Sequence, residues 1–380
     1  MLKRTPLFAV HQRLGARLVE FGGWEMPVQY SSIMDEHLAV RRAAGLFDIS
    51  HMGEVNLTGA AALEFLNRTL TNDLRKIPPG YGQYTLMCNE QGGVIDDLYA
   101  YRLGNEDFLL VINASRIESD VAWLRKQLDA FPKRGAVNLE DVSEKYGAVA
   151  LQGPRAIEFI DQCFPMIAKN RIAILRATEL KKNQVDRFEF EGRIVYVART
   201  GYTGEDGFEV IAPAASIEAV WNRIMAEGHA HCLQPAGLGA RDTLRTEACY
   251  PLYGHELDEQ TTPIEAGLGF FVAFDKPDFV GREVLANQKS QGLSKKCVAF
   301  KMTDKSAPPR PHYPIWSAGS EAARIGEVVS GTQSPTLGIG IGLGYVPPTF
   351  GKPGTDIEIE IRGKRSPALV VQKPFYRKPN

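Results

Sequence analysis

Residues 199–209 read RTGYTGEDGFE, a glycine-rich turn between two strand-like runs. The run before the turn, 193–199, follows another at 187–191 across a single glycine, and this spacing predicts a β-hairpin. The run after the turn, 208–212, leads into a helical apolar pattern over 217–224. The first part of the chain mixes helices and strands, so the sequence indicates an α+β fold.

Two more helices are predicted from their boundary residues. Ser32 precedes a helical apolar pattern that we expect to end at Gly45, in the C′ position. Ser115 has Glu118 three residues later, the spacing of a capping box, which places another helix start there. Further strand-like runs in this half of the chain lie at 54–58, 94–101, 108–113 and 148–152.

The last hundred residues change to short strand-like runs separated by Gly, Pro and Ser. We place the boundary near Phe279–Arg282, which gives a catalytic region at 1–280 and a C-terminal domain at 281–380. The C-terminal pattern predicts a small all-β barrel or sandwich. Alternating glycines at 338, 340, 342 and 344 favour close backbone packing on one strand face over a nucleotide-binding loop.

Composition excludes several classes of protein. Lys plus Arg is 44 and Asp plus Glu is 45, so the basic excess of a nucleic-acid binder is absent. The uncharged stretch 330–351 contains prolines and has an apolar centre far shorter than the ~20 residues of a membrane helix. Five widely spaced cysteines indicate reduced thiols in a cytoplasmic protein. Neither HExxH nor a Cys/His zinc spacing occurs, so we predict no metal.

Three segments carry candidate chemistry. Asp96 and Asp97 are consecutive on a predicted strand, so at least one should point into apolar packing, either as a functional carboxylate or as a turn cap. Tyr202 and Glu209 suit either a pocket edge for a flat heterocycle with N–H donors or an ordinary hairpin. Arg241, flanked by glycines at a helix start, suits a ligand carboxylate or an internal salt bridge.

Taken together, the motifs resemble aminomethyltransferase, the T-protein of the glycine cleavage system. The resemblance covers essentially the whole chain in order, although the proline-rich segment 306–314 departs from the family pattern. The segments that carry it are RTPLF at 4–8, FGGWEMPVQY at 21–30, GLFDISHMGE at 45–54, GGVIDDL at 92–98, RTGYTGEDGFE at 199–209, PAGLGARDTLR at 235–245, PLYGHELDE at 251–259 and SGTQSPTLG at 330–338.

The resemblance implies a three-domain cloverleaf around a central tetrahydrofolate channel, with two interwoven α+β subdomains before the C-terminal β domain. It implies transfer of an aminomethyl-derived carbon from the lipoyl arm of H-protein to tetrahydrofolate, which releases ammonia and gives 5,10-methylenetetrahydrofolate. We expect a cytoplasmic bacterial monomer that meets H-protein transiently and uses no nucleic acid, membrane or metal. The alternatives are a folate-dependent demethylase of another methyl donor and a non-catalytic folate-binding protein.

The resemblance also assigns residues by position. Asp97 matches the key aspartate of the family, Glu209 the carboxylate that binds the pterin, and Arg241 the ligand-binding arginine. The positions that match the wall of the folate pocket are Tyr84, Val111, Tyr202 and Tyr250. Met52 and Asn113 lie on matching stretches nearby, and Tyr376 lies where the last domain of the family reaches the folate site.

Overall fold

The computed structural model describes residues 1–164 and 176–378. The helices of this part are α1 (Phe8–Arg13), α2 (Ile33–Arg42), α3 (Ala62–Thr69), α4 (Ile117–Asp129), α5 (Ile160–Cys163), α6 (Ile217–Gly228), α7 (Leu238–Glu247) and α8 (Arg282–Gln291). The strands before residue 200 are β1 (Arg17–Phe21), β2 (Trp24–Gln29), β3 (Ala44–Asp48), β4 (Gly53–Thr58), β5 (Tyr81–Cys88), β6 (Val94–Arg102), β7 (Asp107–Ile112), β8 (Asn138–Asp141), β9 (Tyr146–Gln152), β10 (Val185–Phe190) and β11 (Arg193–Ala198). The later strands are β12 (Gly207–Pro213), β13 (Leu233–Pro235), β14 (Lys296–Met302), β15 (Pro314–Ser317), β16 (Arg324–Gln333), β17 (Gly340–Val346), β18 (Asp356–Ile361) and β19 (Lys364–Val371).

The described residues pack into two compact units. Unit 1 is formed within residues 1–67, 73–84 and 98–241. Unit 2 is formed within residues 68–72 and 85–97 and from residue 242 onward. The chain passes between the units inside α3, β5, β6 and α7 and again between residues 72 and 73. No helix in the described ranges has the length and apolarity that a bilayer crossing requires.

Unit 1 contains two larger sheets. The first has the strand order β10-β11-β12-β9-β3-β13, and the second has the order β5-β6-β7-β4-β8. The predicted hairpin is confirmed as β10 and β11, which pair around Glu191 and Gly192. Both turn residues have positive φ, 49° and 77°, as a two-residue type I′ turn requires.

The core of unit 1 forms between the first sheet and helix α6. The predicted inward face of α6 is confirmed, because Ile217, Val220, Trp221 and Ile224 are all at most 1% exposed. They join the strand residue Phe208 in one buried apolar cluster. Burying each of these large side chains contributes about 1.5–3 kcal/mol, so this packing fixes β12 and the turn that precedes it.

Unit 2 contains the predicted C-terminal barrel. Its six strands close in the order β14-β17-β16-β15-β18-β19. The close packing expected at the glycine repeat is found for Gly340, Gly342 and Gly344 on β17, and a Cβ on Gly342 would lie 2.5 Å from Phe300. The expectation is wrong for Gly338, which precedes β17, has a φ of 69° and has nothing within 4 Å of an added Cβ. One barrel strand, β15, was not predicted, because it is only four residues long and begins at Pro314 of the proline-rich segment. The α+β class and the C-terminal barrel are confirmed.

Two helix boundaries differ from the predictions. Ser32 does cap α2, accepting from Asp35 N at 3.1 Å, but the helix ends at Arg42 and Gly45 lies inside β3. Gly45 serves packing, since a Cβ there would lie 2.5 Å from Val40. The capping box at Ser115 is also wrong, because residues 114–116 form a 3-10 turn and α4 starts without a side-chain cap.

Candidate functional site

The segment 199–209 has three carboxylates, and two of them hold the turn before β12 in shape. Arg41 lies 2.9 Å from Glu205, and both side chains are almost fully buried. Arg199 donates from Nε to Asp206 at 3.0 Å. Glu205 and Asp206 therefore stabilise the turn, which leaves Glu209 as its candidate ligand-binding carboxylate.

Glu209 lies on the face of β12 that points away from the unit 1 core. Its neighbours along the strand, Phe208 and Val210, are fully buried, whereas Glu209 is half-buried. The residues directly opposite it are Ala198 on β11 and Ala150 on β9. Because both are short, neither cross-strand neighbour shields the carboxylate from the side.

A threonine and a tyrosine anchor this carboxylate. Thr200 Oγ1 donates to Oε2 of Glu209 at 2.7 Å, and the hydroxyls of Thr200 and Tyr101 are 3.1 Å apart. Burial raises the pKa of Tyr101 well above its usual value, and the charge of Glu209 raises it further, so Tyr101 stays a neutral phenol. A carboxylate has about four acceptor sites, so Glu209 retains capacity for a ligand with N–H groups.

An aromatic surface lies on one face of the second sheet. The rings of Tyr99 and Tyr101, alternate residues of β6, have centroids 4.9 Å apart. Gly82 on β5 lies beneath them, because a Cβ there would be 2.4 Å from Tyr99 and 2.6 Å from Tyr101. Tyr84 is two residues further along β5 and Val111 is directly opposite Tyr99 on β7, so both share this face. Burial raises the pKa of Tyr99, and Glu209 adds to that rise, which places the carboxylate near this surface.

Helix α7 positions Arg241. Its first turn lies directly on β2, since a Cβ on Gly237 would be 2.5 Å from the backbone of Val28. The amide of Gly237 donates to Glu36 at 2.8 Å, which fixes the helix start. One turn later, the Arg241 guanidinium stacks over the ring of Tyr202 at 4.6 Å, a cation–π contact.

The guanidinium of Arg241 has unused hydrogen-bond donors. Burial lowers the pKa of Arg241, while Tyr202 and Glu209 act in the opposite direction. Its side chain forms no hydrogen bond or ion pair with any residue that the structure describes. Unit 1 therefore holds a carboxylate acceptor and an unused cationic donor near each other, next to tyrosine rings.

Met52 and Asn113 lie at one end of the β4–β7 ladder. Gly53 pairs with Ile112 as the last pair at that end, so Met52 and Asn113 follow immediately beyond it. Both side chains are half-buried. Their position supports a role at the edge of a site on this sheet.

A buried network braces the segment that leads to Met52. Asp48 accepts from Thr5 Oγ1 at 2.7 Å and from the amide of Ser50 at 2.8 Å, and the Nε2 of His11 is 2.8 Å from it. Burial acts to raise the pKa of Asp48, but these hydrogen bonds and the His11 ring outweigh it and hold the pKa below its usual range. The segment is therefore held rigidly at its base.

Asp97 belongs to unit 2 and follows a tight turn. Asn89 Oδ1 accepts from the amides of Gln91 and Gly93 at 3.0 and 2.9 Å. On β6, Asp96 is fully buried and Asp97 is half-buried, so the expectation that one of the pair points into packing is met by Asp96. Strand alternation puts Asp97 on the same side of β6 as Tyr99, two residues later.

Tyr250 and Tyr376 lie at the C-terminal end of α7 in unit 2. The amide of Tyr250 donates to the carbonyl of Arg245 at 2.9 Å, and Tyr250 is 36% exposed. The amide of Tyr376 donates to the carbonyl of Glu247 at 3.0 Å. Unit 1 thus holds seven of the ten predicted site residues, and unit 2 holds Asp97 and these two tyrosines.

Three residues of the unit 1 surface were missed by the sequence analysis: Thr200, Tyr99 and Tyr101. Thr200 was visible inside the quoted turn, but its role depends on how that turn folds. Tyr99 and Tyr101 continue the two-residue period that begins at Asp97, and that period was the available signal. Within 1–164 and 176–378, no cluster of three or more His, Cys, Asp or Glu side chains could hold a metal ion.

Comparison with known proteins gives a consistent result. A family model described as the GCVT N-terminal domain matches residues 7–276, and one described as the glycine cleavage T-protein C-terminal barrel domain matches 295–377. The aminomethyltransferase of Geobacillus kaustophilus is 48% identical over 379 residues, which is all of both chains. That of Desulfitobacterium hafniense is 45% identical over 377 residues, 99% of each chain. The crystal structure of glycine cleavage system aminomethyltransferase T from Bartonella henselae is 32% identical with a TM-score of 0.90, covering 100% of this chain and 99% of that one.

Proposed function

Because the chain belongs to the glycine cleavage T-protein family and is an aminomethyltransferase, we propose that tetrahydrofolate binds at the unit 1 surface around Glu209. The enzyme is a transferase of the glycine cleavage system and acts in folate one-carbon metabolism. The observation that carries the proposal is the Glu209 carboxylate, anchored by Thr200 at 2.7 Å, with the unused Arg241 guanidinium near it.

This arrangement matches the polar edge of a pterin. The edge presents a 2-amino group and an N3–H, which are donors, followed by a 4-oxo group, which is an acceptor. Glu209 accepts from the two donors together, and Arg241 donates to the neighbouring oxygen. The tyrosine rings supply flat faces for the pterin ring, and Val111 supplies further apolar contact.

Asp97 is assigned to the reaction itself. In the transfer, the carbon leaves sulfur and amine and forms two bonds to folate nitrogens. The two N–H protons that folate loses end on the thiol and on ammonia. Asp97 orients the nucleophilic nitrogen and stabilises the cationic iminium that forms as ammonia leaves, by its charge and position or by taking a proton. Its half-buried place on the Tyr99 side of β6 supports this role.

The proposal also includes the carbon donor and the remaining residues of the folate site. The carbon donor is the lipoyl arm of H-protein, which binds transiently to a monomer in the bacterial cytoplasm. Met52, Asn113, Tyr250 and Tyr376 complete the folate site, in a cloverleaf of three domains around the folate channel. The division at residues 280/281 stays a prediction.

The test is a single-turnover experiment. Purified protein is mixed with tetrahydrofolate and H-protein that carries an aminomethylated lipoyl arm, and ammonia and methylenetetrahydrofolate are measured together. Equal amounts of both products, one per aminomethyl group, are expected. Folate binding without either product would contradict the lipoyl donor and favour a demethylase or a binding protein.

A further inference from the structure

His51 is a buried histidine that the folate assignments leave unused. It is 2% exposed, and the Phe21 ring packs edge-on against it with centroids 5.7 Å apart. Neither ring nitrogen forms a hydrogen bond with any residue that the structure describes, and Nδ1 is completely enclosed. Buried polar groups are nearly always hydrogen-bonded, so an imidazole left without a partner indicates a missing ligand.

The neighbours of His51 connect it to the folate-binding residues. Met52 is the next residue, and Asp48 braces the segment from below. Burial is the main cause that lowers the pKa of His51 to about 4; Asp48 acts in the opposite direction, and the nearby Arg241 lowers it further. His51 is therefore a neutral imidazole close to the unused guanidinium of Arg241.

The enclosure of Nδ1 decides where the single ring proton lies. An enclosed N–H without an acceptor costs more than an enclosed lone pair, because orphaned buried donors are the rarer case in proteins. The proton is then on Nε2, the nitrogen that is not sealed in. Arg241 and His51 together offer hydrogen-bond donors and need one acceptor.

We propose that His51 donates from Nε2 to the 4-oxo oxygen of the pterin that Arg241 also binds, and so selects 4-oxo pterins over 4-amino pterins. This inference rests on the proposed folate site. A 4-amino group carries N–H donors where the oxygen would be. It cannot accept the hydrogen bonds that Arg241 and His51 would donate, so these donors are left without an acceptor. Discrimination by unpaired buried polar groups is large, because the site cannot satisfy them another way.

The test compares two ligands on the same protein. Dissociation constants of tetrahydrofolate and of its 4-amino-4-deoxy analogue are measured by anaerobic titration for the full chain and for His51→Phe, His51→Asn and His51→Gln. The readout is the ratio of the two dissociation constants. A partial loss of folded protein affects both constants equally, so it does not change this ratio. His229→Gln, at an exposed histidine, is the matched control.

We expect the unmodified protein to prefer the 4-oxo ligand at least tenfold. His51→Phe, which keeps the contact with Phe21, should reduce the preference about tenfold, and so should His51→Asn, whose amide is too short. His51→Gln places an amide N–H near the Nε2 position and should keep the preference within about threefold. An unchanged ratio in His51→Phe and His51→Asn would overturn the proposal and make His51 structural. If neither ligand binds the unmodified protein, the folate site itself is wrong.

Discussion

Thr200 Oγ1 lies 2.7 Å from Oε2 of Glu209 and donates a hydrogen bond to it, although the two residues are nine positions apart in sequence. The turn 199–206 makes this contact, because it returns the chain so that β12 pairs with β11. The hydrogen bond fixes the carboxylate orientation on a strand where both cross-strand neighbours are alanines. The chemistry assigned to Glu209 therefore depends on the fold of one turn.

Thr200→Val tests this anchor. The valine keeps the shape of the side chain and removes the donor to Glu209. A hydrogen bond to a charged group contributes about 1.5–3 kcal/mol, so KM for tetrahydrofolate should rise about tenfold while kcat stays within twofold. Steady-state kinetics checks this, with Thr303→Val on the exposed barrel surface as control. A fall in kcat at unchanged KM would assign Thr200 to the chemical step.

Glu209→Gln tests the pterin-binding carboxylate. The amide loses the charge and one acceptor, so the dissociation constant for tetrahydrofolate should rise about a hundredfold. Equilibrium titration measures it. Glu189→Gln, an exposed glutamate on β10 of the same sheet, should bind as the unmodified protein does. Unaltered affinity in Glu209→Gln would remove Glu209 from the site.

His51 makes the fold sensitive to mild acid. The unfolded chain binds a proton at this ring near pH 6.5, and the folded chain only near pH 4, so unfolding is favoured as pH falls between these values. At pH 5 the loss is about 2 kcal/mol relative to pH 7.5. His51→Gln removes this contribution, so its urea midpoint should fall less on acidification. The control His229→Gln should follow the unmodified protein, and identical slopes for all three would contradict the burial of a neutral ring.

Glu54 produces the opposite pH dependence. It is 1% exposed with both carboxylate oxygens unpartnered among the described residues, and burial raises its pKa well above 4.5, with Asp141 adding to the rise. The folded carboxyl stays protonated, whereas the unfolded one ionises above pH 4.5, so stability falls as pH rises. Glu54→Gln should therefore gain stability over the unmodified protein by up to about 1.4 kcal/mol per pH unit above 4.5.

Urea unfolding at pH 4.5 and pH 7 checks the Glu54 prediction. Glu144→Gln provides an exposed control near the same strand ladder. The quantity compared is the difference in unfolding free energy between Glu54→Gln and the unmodified protein. If this difference is the same at both pH values, Glu54 is ionised in the folded protein.

The sequence predicts the fold where one local pattern suffices. The period of α6 leads directly to the observed helix, and the glycine at 192 leads to the observed hairpin, whose turn is Glu191 and Gly192. Gly45 misleads as a helix stop because its small size serves a contact with Val40, which only tertiary packing creates. Ser115 fails as a cap because the chain makes a 3-10 turn before α4.

The candidate site, too, is predictable from the sequence only where a local motif suffices. Glu209 and Arg241 stand in motifs and can be named from the sequence. Thr200 and His51 stand in motifs too, but their importance arises from a folded turn and from burial without a partner. A sequence pattern does not contain either property, because both depend on residues distant along the chain.

We propose that Glu209 binds folate and that Asp97 acts in the chemical step, so substitutions at the two positions should impair the reaction in different ways. The most direct measurement is single-turnover formation of methylenetetrahydrofolate by Glu209→Gln and Asp97→Asn at saturating tetrahydrofolate, with the exposed Asp278→Asn as control. Saturation should restore Glu209→Gln to within about fivefold of the unmodified rate, whereas Asp97→Asn should bind folate normally and stay about a hundredfold slow. A near-normal rate for Asp97→Asn would rule out its role in the chemical step, and a slow Glu209→Gln that saturation does not restore would rule out a pure binding role for Glu209.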